Sequence, residues 1–111
     1  MAEMVVMVRW AVGLVGRNTP EEVRKADWAE AAQIAKKWKE AGVRPVASFD
    51  FGAQGLDGQY SHVTFYAVPN MDVLAAMNQD LWTSQWAKHV ENYSMVIGVN
   101  RPEAIENWNK L

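Results

Sequence analysis

Apolar positions along this chain alternate between the period of two expected of a strand and the longer period expected of a helix. The first run, Met4-Val-Val-Met-Val-Arg-Trp-Ala-Val12, is valine-rich and short, and reads as a strand buried on both faces. A loop with two glycines, Gly13 to Asn18, follows it. Thr19-Pro20-Glu21-Glu22 then opens a helix. Thr19 caps it, Pro20 takes the first position, where its missing N–H costs nothing, and Glu22 closes a capping box. The helix runs to about Ala41, with Gly42 as its stop. Val23, Ala31, Ile34, Ala35 and Trp38 form its buried stripe, flanked by Trp28, and Lys36, Lys37, Lys39 and Glu40 lie on the wet side.

Arg44-Pro45 leads into a second strand, Val46 to Gly52, and a turn-rich connection whose Asp57-Gly58 favours a tight reversal. The third strand, Tyr60 to Val68, completes an antiparallel hairpin. Asn70 caps a second helix with Asp72 in its first turn, where the helix dipole favours an anion. That helix carries Leu74, Met77 and Leu81, then Trp82, Trp86 and Val90. Tyr93 to Val99 is a fourth strand. Asn100 to Leu111 is a tail of one or two helical turns whose Trp108 is expected to pack on the body or on a partner chain. The order is strand, helix, strand, strand, helix, strand. Right-handed crossovers make of it an α+β, ferredoxin-like βαββαβ domain over 1–111, a four-stranded antiparallel sheet with two helices on one face.

The other sheet face is left uncovered within one chain. Alternation sets Ala47, Phe49 and Phe51 against Val46, Ser48 and Asp50, and sets Val63 and Phe65 against His62, Thr64 and Tyr66. If the apolar sides meet the helices, then Ser48, Asp50, His62, Thr64, Tyr66 and Arg9 share the uncovered face with Val5 and Met7. A mixed face of this kind is covered by another subunit, which predicts a homodimer joined through its sheet faces. In this element order the chain resembles the dimeric α+β barrel superfamily, whose members include antibiotic-biosynthesis-type monooxygenases, haem-degrading monooxygenases and stress-responsive barrels. The monooxygenase-like branches often carry a Trp and a His on the second helix, where this chain has Asn78, Trp82, Gln85, Trp86 and His89. They also carry an Asn on the first strand, where this chain has Arg9 and Trp10.

Composition narrows the chemistry. At 111 residues, half of them hydrophobic, the chain is globular and has room for one core. A net charge of −2, with no basic-Gly-aromatic signature on the third strand, argues against nucleic acid. The absence of cysteine excludes thiolate zinc sites and catalytic thiols, and fits a cytoplasmic setting. The apolar start lacks a basic leader and carries Arg9, and no run is long enough to span a bilayer. Two histidines on different elements show no metal-ligand spacing, so neither a metal nor another cofactor is expected, and His89 is the only helix histidine able to reach a haem iron.

What remains is a polar cluster and a tryptophan surplus. His62 beside Asp50 and Tyr66 suits proton transfer, or else a hydrogen-bonded dimer interior. Arg9 is either the charge partner of Asp50 or the anchor of an acidic or enolate ligand. Trp82, Trp86, His89, Asn78 and Ser48 are the candidate substrate contacts, although His89 can also pair with the helix dipole or with Glu91. Six tryptophans in so short a chain serve a core, an interface or a flat ligand. These features, with the resemblance, imply a small cofactor-independent barrel enzyme that oxygenates, isomerises or cyclises an aromatic or polyketide-like molecule. The alternative is a non-catalytic small-molecule-binding or stress-related dimer.

Overall fold

The computed structural model describes residues 3–12, 18–50 and 61–111. Within them run β1 (Met4–Val12), α1 (Glu21–Glu40), β2 (Arg44–Asp50), β3 (His62–Val68) and α2 (Met71–Thr83). A 3₁₀ segment (Gln85–His89), β4 (Val90–Val99) and α3 (Pro102–Asn109) follow. The sheet order is β2-β3-β1-β4, and β1 pairs antiparallel with both β3 and β4, as β2 does with β3. This is the ferredoxin-like α+β arrangement that the order of elements predicts. The turn expected at 52–59, and Phe51 with it, lies outside the described residues.

Local chemistry sets the helix limits. Pro20, not Thr19, occupies the cap position of α1, and Glu21 and Glu22 stand in its first turn while Lys37 and Lys39 stand in its last. Those charges complement the helix dipole at both ends. Gly42 closes the helix at φ +95°, with its N–H bonded to the Lys39 carbonyl and the Val43 N–H bonded to that of Trp38. A side chain there would be strained by the left-handed backbone, and its Cβ would also come within 3.1 Å of Pro69. At α2, Asn70 caps as expected, its side chain accepting from the Val73 N–H at 2.9 Å.

The second helix is shorter than its sequence suggests. Ser84 turns extended, its hydroxyl donates to the Leu81 carbonyl at 2.7 Å, and the chain restarts as the 3₁₀ segment. Trp86 and His89 therefore do not continue the helical stripe of Asn78 and Trp82.

The core lies between the sheet and the two long helices: Val6, Val8 and Val68 of the sheet meet Trp38, Val43, Leu74 and Met77. Asp80 clamps α1 to α2, accepting from Trp38 Nε1 at 2.9 Å and from Lys37 Nζ at 3.0 Å. Lowering by these bonds overcomes the opposing effect of desolvation, so the Asp80 carboxyl lies below its ordinary range.

Register corrects the assignment of faces. Val6 opposes Tyr66, Val8 opposes Thr64 and Trp10 opposes His62, and on the next strand Ser48 opposes Thr64 and Asp50 opposes His62. Side chains at paired positions share a face. The polar set therefore lies on the helix side with Val6 and Val8. The uncovered face carries Val5, Met7 and Arg9 with Val63, Phe65, Phe49 and Val96. Arg9 is thus separated from Asp50 by the sheet, and its guanidinium donates to Ser94 at 3.3 Å instead. On β1 the apolar side, Val6 and Val8, does meet the helices as expected; on β2 and β3 the polar side does, and the cavity beneath α1 takes the hydroxyls of Thr64 and Tyr66 into its lining.

The tail differs too. Every residue of α3 is exposed, and Trp108, 73% exposed, does not pack on the body of its own chain.

Candidate functional site

The cavity measures about 180 Å³ and sits between the sheet and α1, closed at one side by the 3₁₀ segment. β1 supplies Trp10, α1 supplies Trp28 and Trp38, the 3₁₀ segment supplies Trp86, and β3 supplies Tyr66 and Thr64. Aliphatic groups of Val8, Ile34 and Leu81 fill the gaps, and Ser84 adds a hydroxyl. Among the described lining residues there is no carboxylate and no imidazole. The aromatic walls brace one another edge to face: Trp38 on Tyr66 at 6.0 Å and Trp10 on Trp86 at 5.4 Å. Desolvation raises the Tyr66 phenol above its ordinary value, so at neutral pH it remains a hydrogen-bond donor.

The predicted site residues do not gather in one place. Tyr66 and Trp86 line the cavity, and Ser48 reaches it only through its 2.9 Å hydrogen bond with Thr64. His62 and Asp50 do come together, Nδ1 to carboxylate at 2.6 Å, with the imidazole stacked on Trp10 at 4.2 Å. They stand behind the cavity wall, with the Asp50 side chain 75% exposed. Asn78 and Trp82 are exposed, and Trp82 meets Tyr93 edge-on at 5.2 Å, away from the cavity. Arg9 is on the opposite face of the sheet.

His89 finds a partner that the sequence reading missed. Its Nε2 lies 2.6 Å from Asp27 on α1, both side chains are buried, and Lys88 Nζ reaches the same carboxylate oxygen at 3.2 Å. The bond to His89, helped by Lys88, outweighs desolvation and holds the Asp27 carboxyl below its ordinary value. A third tie joins the same two elements, the Gln85 N–H donating to Glu30 at 2.8 Å. Together these fasten the 3₁₀ segment, and with it Trp86, to α1. Nδ1 of His89 and the Tyr93 hydroxyl are buried without partners among the described residues, and desolvation pushes the Tyr93 phenol up to about 12. With Nε2 taken by Asp27 and the ring outside the cavity lining, His89 offers the cavity no iron ligand. The residues present do not fit a haem bound there through His89.

Among the described residues no group of three or more metal-ligating side chains occurs, and no helix is long and apolar enough to cross a membrane.

No family model matches the chain, and no curated protein matches it in sequence. Solved structures do match it in fold. Chlorite dismutase from Candidatus Nitrospira defluvii in complex with imidazole superposes with a TM-score of 0.75 at 12% identity, over 89% of this chain and 40% of that one. An arginine-substituted mutant of that enzyme gives 0.77 at 12% identity, over 100% of this chain and 49% of the other. A protein provisionally assigned as a chlorite dismutase gives 0.68 at 16% identity, over 96% and 49%. The chain thus spans less than half the length of these structures, and at such identities the likeness establishes the ferredoxin-like α+β fold.

Proposed function

We propose that this domain binds a flat, largely apolar small molecule, aromatic or polyketide-like, in the cavity between sheet and helices, and that two copies associate through their uncovered sheet faces. The observation that carries the first part is the wall of Trp10, Trp28, Trp38, Trp86 and Tyr66 around a space with no carboxylate, imidazole or amine among its described lining residues. Such walls exclude water and present flat, polarisable surfaces, while Thr64, Ser84 and Tyr66 supply the few polar contacts that orient a ligand. Titration with the neutral dye phenylnaphthylamine tests it. Saturable quenching of tryptophan emission is expected, and Ala35→Trp, which fills the cavity wall, should abolish it. A dye that fails to bind the unaltered protein would overturn the reading.

One observation favours a catalytic version. His62 keeps Nε2 without a partner among the described residues while Asp50 holds Nδ1, which is the arrangement of an oriented base. The fold neighbours named as chlorite dismutases are enzymes, which supports this version as far as a shared fold can. Under it nuclear Overhauser contacts join the His62 ring to the bound ligand. Under simple binding the ligand shows such contacts to Trp10 and none to His62.

A further inference from the structure

A second, larger hollow of about 610 Å³ adjoins the cavity and opens between the end of α1 and the start of β2. The two share Ala35, Trp38 and Tyr66 as lining, so they are adjoining chambers that meet at these three side chains. Their characters differ. The inner chamber is ringed by tryptophan and falls short of the roughly 300 Å³ at which small-molecule sites begin. The outer chamber is lined by Lys39 and Arg44 and, among the described lining residues, by no carboxylate.

The two cations are not equivalent. Arg44 is already engaged, its guanidinium donating to both carboxylate oxygens of Glu3 at 3.0 Å. Lys39 Nζ has no hydrogen-bond or ion-pair partner among the described residues, whereas its neighbour Lys37 is held by Asp80. Trp38, between these two lysines in sequence, is fixed by its own bond to Asp80, so its ring is held at the border that the two chambers share. A ligand filling only the inner chamber would be small. One that spans both would set an apolar ring system among the tryptophans and its other end beside an unspent ammonium.

We infer that the ligand of the cavity is an amphipathic anion, with its flat apolar end in the inner chamber and its negatively charged group beside Lys39 in the outer one. The inference rests on the binding reading above and adds the charge and its position. It also separates Lys39 from the plainer role of offsetting the dipole at the end of α1, since that role gives a ligand's charge no consequence.

Two dyes with the same ring system decide the matter: neutral phenylnaphthylamine and its sulfonated relative, anilinonaphthalene sulfonate, each titrated into the full chain. Lys39→Gln should weaken the sulfonate about three- to ten-fold and leave the neutral dye within about two-fold. Raising salt to about 0.5 M should weaken the sulfonate alone, because screening acts on its charge. Ala35→Trp should abolish both, which separates the chambers from the open sheet face. Loss of a melting temperature increment in Lys39→Gln with the sulfonate affinity unchanged would overturn the inference and leave only the dipole role. Sulfonate binding that survives Ala35→Trp would overturn it as well. Failure of the neutral dye to bind the unaltered protein would instead bring down the cavity reading itself.

Discussion

Burying a carboxylate beside an imidazole is unfavourable unless each satisfies the other, and Asp27 and His89 do so at 2.6 Å. The sequence held half of this pair. Asp27 stands four, seven and eleven positions before Ala31, Ile34 and Trp38, on the very stripe read as buried, so its polar character there was a visible anomaly. Its partner lies 62 positions away on the 3₁₀ segment, and nothing local joins the two. The His62–Asp50 pair was legible for the opposite reason: both sit on adjacent hairpin strands, and alternation alone put them on one face. The pH response follows from the carboxylates. Both Asp27 and Asp80 lie below the ordinary carboxylate value when folded, so the stability they give is present above about pH 4 and is lost as pH falls through their lowered values. Melting curves from about pH 6 down to pH 2.5 should therefore fall less steeply in Asp27→Asn and in Asp80→Asn than in the unaltered protein. An acid limb of equal slope in both variants would show that other groups govern it.

Elements were read more securely in their order than in their limits and faces. β1 was placed at its observed bounds because its valine run has clear edges, and Gly42 marked the end of α1 because only a positive φ lets the chain turn there. The second helix misled because Trp82, Trp86 and His89 keep a plausible helical spacing across Ser84, whose hydroxyl breaks the helix by taking the Leu81 carbonyl. The break has an energetic signature. Trp86, on the 3₁₀ segment, is 8% exposed and forms cavity wall, while Trp82, on the helix, is 58% exposed. Trp86→Ala should accordingly lower unfolding free energy by about 3–5 kcal/mol, and Trp82→Ala by less than about 1 kcal/mol. Urea unfolding of the two variants measures both. Equal losses would mean that the two tryptophans belong to one continuous helical face after all.

At the scale of the whole molecule, the inverted faces strengthen the case for a partner. With the polar set turned toward the helices, the uncovered face is left with Val5, Met7, Phe65, Phe49 and Val96, of which Phe49 is 52% exposed and Val96 48% exposed. An apolar sheet face of this extent suits a partner, and the proposed partner is a second copy that would present the same surface about a two-fold axis. Arg9 need not oppose this, since its guanidinium is already bonded to Ser94 within the face. The prediction is a particle of two chains by light scattering at tens of micromolar. Phe65→Glu places a charge at the middle of the face and should give a particle of one chain with an unchanged circular dichroism spectrum. The tail joins the same test. Because every residue of α3 is exposed, deleting 101–111 should leave the melting temperature of the Phe65→Glu monomer unaltered. A lower melting temperature only when the tail is removed from the two-chain form would show Trp108 seated on the partner. A one-chain mass for the unaltered protein would remove both the sheet-face dimer and any role for the tail within it.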